Sequence, residues 1–145
     1  MKSCFYQYRK GLYERLSTVT HNGESIPVWQ YPPKDVEMPF ILIGDMNALP
    51  VGVDDKDAFM QELSVEIHVV DEGATTLTVD EIMNDIMDKL ITMGVTTVDR
   101  DKFIEMDGFE NSSCLLQSQT HITEFEGDRI IVRNVLVINA IIDEL

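Results

Sequence analysis

Residues 113–125, SCLLQSQTHITEF, and residues 129–142, which after Arg129 read IIVRNVLVINAII, flank the triplet Glu126-Gly127-Asp128. Both flanks are rich in apolar, β-branched and aromatic residues, and the triplet between them has turn chemistry. Together they predict a hairpin of two long strands. The second strand is apolar on both faces apart from Arg133, Asn134 and Asn139. A strand of that kind sits in the middle of a sheet or is covered by another subunit.

The rest of the chain is read as what pairs with this hairpin or packs on it. In Gln61–Val70, Leu63, Val65, Ile67 and Val69 alternate with Glu62, Ser64, Glu66 and His68, so one face is buried and one is wet. Pro39–Asp45 predicts a further strand, and its continuous Phe-Ile-Leu-Ile implies cover on both faces. Ile26–Tyr31 is a short extended run that Pro32-Pro33 stops. A first helix is expected over Cys4–Val19, with Ser3 as its cap and Phe5, Tyr8, Leu12 and Leu16 as its apolar stripe. His21-Asn22-Gly23 ends it. A second helix is expected over 78–93, opened by a Thr78/Glu81 capping box and stopped by Gly94. Val79, Ile82, Met83, Ile86, Met87, Leu90 and Met93 form its core stripe. Val95–Ser112 reads as irregular, with a short strand near 102–106. The order α-β-β-β-α-β-β predicts an α+β fold, an antiparallel or mixed β-sheet with two α-helices packed on it, as one domain over 1–145.

Composition narrows the function. Twenty-six acidic against 11 basic residues give a net charge of −15. Gripping a phosphate backbone needs clustered Lys and Arg, and the densest basic stretch is Arg9-Lys10 with Arg15 beyond it. No apolar run approaches a membrane span. The N-terminus lacks a continuous apolar h-region and a small-residue cleavage site, so a cytosolic protein is expected. Cys4 and Cys114 are expected as reduced thiols.

Catalytic patterns are sparse. His21, His68 and His121 show no metal-ligand spacing. Cys114 and His121 have opposite parity along one strand, which puts them on opposite faces. The carboxylates Asp54, Asp55, Asp57, Asp99 and Asp101 lack the glycine and terminal glutamate of a calcium loop. No phosphate-cradling glycine motif occurs. No cofactor, no metal and no catalytic residue is expected.

That leaves Met46–Phe59, a long segment mixing apolar and acidic residues. Read as a loop, it is too long to be a plain connection, and its apolar groups point to a protein partner. Met46, Leu49, Val51, Val53, Asp54 and Asp55 are the candidate interface residues.

Four local features carry a family resemblance. They are the helix with Leu12-Tyr13-x-x-Leu16, the strand Val28-Trp29-Gln30-Tyr31-Pro32, the segment Met38-Pro39-Phe40-Ile41-Leu42-Ile43-Gly44-Asp45, and the alternating strand Leu63–Val69 leading into the helix at 78–93. In these the chain resembles the tail-terminator, or tail-completion, proteins of tailed bacteriophages, the head–tail joining and neck group. The resemblance implies a structural role without catalysis. It implies a homo-oligomeric ring, a hexamer or alternatively a dodecamer, that completes the tail tube and joins it to the head. The implied partners are other neck, portal-adaptor or tail-tube proteins, with genomic DNA passing through the lumen unbound. The implied location is the virion, with the host cytoplasm during assembly. Two other readings remain: a small acidic protein that mimics DNA toward a basic partner, and a metal-dependent hydrolase using the Asp54/Asp55 or Asp99/Asp101 carboxylates.

Overall fold

The computed structural model describes residues 2–52, 59–91 and 100–145. The elements, in order, are α1 (Phe5–Leu16), β1 (Thr20–His21), β2 (Glu24–Ser25), β3 (Val28–Trp29), β4 (Phe40–Val51), β5 (Met60–Glu72), α2 (Leu77–Leu90), β6 (Phe109–Glu126) and β7 (Arg129–Glu144). A 3-10 turn at Arg100–Lys102 follows α2. Strands β3 to β7 form one mixed sheet in the order β3-β4-β5-β7-β6. The β3–β4 pair is parallel and the other three pairs are antiparallel. The fold is α+β, as the element pattern predicts.

The hairpin forms around a two-residue turn: Glu126 pairs with Arg129, and Gly127 takes φ 60°, the left-handed region where glycine is least strained. Strand β7 lies between β5 and β6, which accounts for its apolar character. Both helices pack on one face of the sheet. Helix α1 delivers Tyr8, Leu12 and Leu16, and α2 delivers Val79, Ile82, Met83, Ile86 and Leu90. They meet Leu63, Val65, Ile67 and Val69 of β5 and Leu136, Ile138, Ala140 and Ile142 of β7 in one continuous core. Each Val, Leu, Ile or Met side chain among them contributes roughly 1.5–3 kcal/mol when fully buried. The other face carries only a small corner cluster of Phe40, Val70 and Ile131, with Val36, Met38 and Leu42 around it. That cluster is the second-face cover expected of Phe-Ile-Leu-Ile.

Several expectations are corrected. Asn22 (φ 53°) and Gly23 (φ 81°) form the turn of a small β1–β2 hairpin, while α1 itself closes at Ser17, whose N–H donates to the Tyr13 carbonyl at 2.9 Å. Two left-handed residues in succession make the primed turn that Asn-Gly favours. Cys4 is the cap residue of α1, and Ser3 Oγ accepts only a long bond, 3.4 Å, from the Phe5 N–H. Helix α2 starts at Leu77, one residue before the proposed Thr78 cap; Thr75 Oγ1 accepts from the Leu77 N–H at 3.2 Å. Met93 and Gly94 lie outside the described residues. Instead of a strand at 102–106 there is the 3-10 turn and a single bridge, Glu105 to Glu110.

Arg15 and Gly11 fix that irregular segment. The Arg15 guanidinium donates to the carbonyls of Lys89 (2.6 Å), Lys102 (3.0 Å) and Phe103 (3.1 Å), joining the end of α2 to the 101–103 turn. A Cβ on Gly11 would collide with Ile104 Cγ2 and reach 3.0 Å from the Glu105 carbonyl oxygen. The helix can pass this closely only because residue 11 has no side chain. Asn111, nearly fully buried, completes the stitch: its amide donates to the Ser113 and Ile141 carbonyls and its oxygen accepts from the Ile104 N–H.

Candidate assembly surfaces

The residue types that do chemistry are placed apart. His21 lies 3.6 Å from Glu81, His68 lies 3.4 Å from Glu66, and His121 lies 2.5 Å from Asp80. Among the described residues no three His, Cys, Asp or Glu side chains converge on a metal-sized site. Cys4 and Cys114 are buried, free thiols. Burial pushes the Cys114 thiol up to about 12 and raises that of Cys4, so neither supplies a thiolate nucleophile near neutral pH.

Their placement also corrects a parity argument. A bulge in β6 between Leu116 and Ser118 shifts the register, so Cys114 opposes Ala140 and His121 opposes Asn134. Both therefore face the helices. They still do not meet: Cys114 is buried beside Tyr8 of α1, and His121 reaches Asp80 of α2. Asp80 also accepts from the Asn134 amide at 2.8 Å. Burial pushes the Asp80 carboxyl up, but hydrogen bonds from His121, Asn134 and Thr76 outweigh it and hold the carboxyl below its usual range. No described helix is long and apolar enough to cross a membrane.

What the sheet does offer, among the described residues, is two long margins with no strand beyond them. On one side, β6 is an edge strand of 18 residues. From Leu115 to Thr123 every residue is exposed, including Leu115, Leu116 and Ile122, and Phe125 beyond them is 75% exposed. The run 115–126 contains no Lys, Arg or Pro, the residues that usually keep a strand edge from pairing with another chain. On the other side, β3 pairs only with Ile41 and Leu42. No strand among the described residues pairs with the outer margin of β4 from Ile43 to Val51.

Strand β4 holds three of the six sequence-derived candidates, Met46, Leu49 and Val51. The stretch Met46–Val51 is strand and not loop: Met46 pairs with Val65, Leu49 with Glu62 and Val51 with Met60. The segment was misread because Gly44-Asp45 looked like the end of a strand. They are a bulge, two residues where the pleat has one, and β4 resumes at Met46. Gly44 suits it, since a Cβ there would come within 3.2 Å of Glu66 Cβ. Met46 is half-buried against the core, Val51 is half-buried, and Leu49 is 57% exposed on the face away from the helices. Val53, Asp54 and Asp55 lie outside the described residues, as do Asp57 and Asp99. Sequence reasoning missed the β6 edge and the outer face of α1. The missing guard residues of 115–126 and the off-stripe aromatics Tyr6 and Tyr13 were the available signals.

The comparisons decide the class. A family model described as "Tail completion protein gp17" matches residues 10–130. The chain belongs to the phage tail-completion family. This tail-completion chain is a structural protein of the virion tail and not an enzyme. A solved chain in "Virion of native gene transfer agent (GTA) particle" superposes with a TM-score of 0.74 over 99% of both chains, at 13% identity. At that identity the likeness establishes a shared fold. No curated protein matches in sequence.

Proposed function

We propose that this chain, acting as one domain over 1–145, assembles into a ring at the head–tail junction. The ring completes the tail tube and joins it to the head through neck, portal-adaptor or tube proteins. The observation that carries this reading is the pair of bare sheet margins, β6 on one side and the free length of β4 on the other. Two different surfaces on opposite sides of a subunit make head-to-tail contacts, which close into a ring or run on as a filament. The expected ring is a hexamer, with a dodecamer as the alternative.

The candidate contact residues Met46, Leu49 and Val51, with Val53, Asp54 and Asp55, belong to the β4 side of that contact. The net charge of −15 suits a passage through which DNA moves without sticking. Assembly takes place in the host cytoplasm, where Cys4 and Cys114 stay reduced.

Deleting the gene from its phage and imaging the particles by negative-stain electron microscopy tests the proposal. Filled heads without joined tails, beside overlong or free tubes, are the expected result. Tailless heads that leak DNA, with no tubes, would assign the ring to a short-tailed neck. Complete normal virions would overturn the ring and leave the acidic DNA-mimic reading. Introducing charge at both positions, Val51→Lys/Val53→Lys, is expected to leave the chain folded and block assembly.

A further inference from the structure

The two margins of the sheet differ in chemistry, and the difference is complementary. On the β3/β4 side, the outer face of α1 presents Tyr6, Arg9, Lys10 and Tyr13 beside Gln30 and Ile43, around a cleft of about 310 Å³. A second cleft, of about 400 Å³, shares Arg9, Gln30 and Ile43 and runs on to Tyr31 and Asp45. Tyr6 is 72% exposed and Tyr31 83% exposed. Several cations of this acidic chain are committed, while Lys2, Arg9, Lys10 and Lys34 make no ion pair among the described residues. Arg15 is held by carbonyls, Lys89 by Thr18, Lys102 by Asp88, Arg129 by Glu72 and Arg133 by Glu124. Arg9 Nε is also buried without a hydrogen-bond partner. An uncompensated guanidinium beside exposed tyrosines is a typical anchor for an acidic, apolar protein surface.

The β6 side is such a surface. Leu116, Ile122 and Phe125 are exposed on it; near the hairpin tip Arg133 pairs with Glu124 and Arg129 with Glu72, which leaves Glu126 and Asp128 as carboxylates without an ion pair among the described residues. The strand directions also fit. Strand β4 is antiparallel to β5, β5 to β7 and β7 to β6, so β4 and β6 of one copy run in opposite directions. Rotating a second copy about an axis inclined to the strands, as strands incline in a closed barrel, brings its β4 margin beside the first copy's β6 in antiparallel sense and staggers the two copies.

We infer that the tyrosine–arginine–lysine flank formed by α1, β3 and the free margin of β4 receives the acidic, apolar β6 hairpin of a second copy of this chain. The inference rests on the ring reading and specifies the contact. In one sheet Ile43 is level with Gln119, so the second copy is staggered by about seven residues along the strands, roughly 23 Å, to bring its hairpin tip to α1. Aromatic and aliphatic side chains then fill the clefts, Glu126 and Asp128 face Arg9 and Lys10, and the bare β6 backbone lies along β4.

The test compares three variants with the wild type by light scattering in solution and by electron microscopy of phage particles complemented in trans. Arg9→Glu/Lys10→Glu is expected to abolish assembly, as is Glu126→Lys/Asp128→Lys. The chain carrying all four reversals is expected to regain at least a tenth of wild-type assembly, because each contact then has opposite charges again. Circular dichroism and thermal unfolding unchanged from the wild type establish that the variants fold. A second measurement does not depend on charge: Tyr13→Cys and Phe125→Cys in one chain are expected to cross-link between copies under mild oxidation, giving a ladder of multimers from particles. Rings that form normally from both double variants, without a cross-link ladder, would overturn this contact and leave the ring standing. A wild-type chain that forms no oligomer in solution or in particles would overturn both.

Discussion

Strands β6 and β7 are the two arms of one hairpin, of 18 and 16 residues, yet they have opposite fates. In β7, eight side chains from Ile131 to Ile142 are buried, including Leu136, Ile138, Ala140 and Ile142 at 0% exposure. In β6, nothing from Leu115 to Thr123 is buried. The difference is one of position. β7 has strands on both sides and helices above; β6 has a neighbour on one side and reaches past the helices. The same hairpin thus joins a strand that stabilises the subunit to a strand that is left for something else to cover.

The largest expected effect tests that division directly. Leu136→Ala removes a fully buried side chain beneath the helices and is expected to cost about 2–5 kcal/mol in chemical denaturation. Ile122→Ala, on the exposed β6 edge, is expected to change subunit stability by less than about 0.5 kcal/mol. Equal costs would mean that β6 is as much a part of the core as β7.

Next in size is Gly11→Ala. The usual gain of alanine over glycine inside a helix, about 1 kcal/mol, is reversed here, because the new methyl meets Ile104 and the Glu105 carbonyl. A net loss of about 1–3 kcal/mol is expected. A gain in thermal stability would show that the 104–105 segment gives way freely. Helix propensity marks Gly11 only as a weak point of α1. The glycine is needed by a segment some 90 residues away, and long-range proximity leaves no local trace.

The same limit separates what was legible from what was not. Periodicity decided β5 and the core stripes of both helices, because burial on one face imprints a repeat of 2 or 3.6, while β7 was legible from its unbroken apolar run beside a turn. It failed at Gly44-Asp45, where a bulge interrupts the pleat without ending the strand, and at Cys114/His121, where another bulge reverses parity. It could not assign β6 to the edge, since a hairpin says which strand is the partner and not what lies beyond. Met46, Leu49 and Val51 were picked out by their apolar character, and they lie in β4. The opposite margin, and the flank of α1 with Arg9 and Lys10, came only from the assembled sheet.

A third effect depends on pH. The Cys114 thiol, held at about 12 by burial, stays protonated in the folded chain while its unfolded counterpart ionises near 9. Burial raises Cys4 and Tyr8 in the same direction. The folded state then binds more protons than the unfolded state, and stability falls as pH rises. From pH 9 upward, Cys114 alone is expected to remove up to about 1.4 kcal/mol per pH unit. Cys114→Ala should flatten that slope in urea melts between pH 9 and 11; an unchanged slope would place the titration elsewhere.

The smallest effect concerns one carboxylate that holds both arms of the hairpin. Asp80 accepts from Asn134 of β7, which is 1% exposed, and meets His121 of β6, whose side chain is half exposed. Removing His121 breaks only a solvated contact, so His121→Ala is expected to cost less than about 1 kcal/mol. Asp80→Ala leaves the Asn134 amide without its acceptor, and an unsatisfied buried donor costs about 1–3 kcal/mol. Partial exposure of Asp80 lets water replace some of that bond and sets the expectation near the lower figure. The carboxyl sits below its usual range when folded, so the stabilisation is present above the unfolded value near 4 and is lost as pH falls through the lower folded value. The gap between wild type and Asp80→Ala should therefore shrink in acid while the gap for Leu136→Ala persists. If His121→Ala proves as costly as Asp80→Ala, β6 is held to α2 more firmly than its exposure implies, and it is less free to meet a second copy.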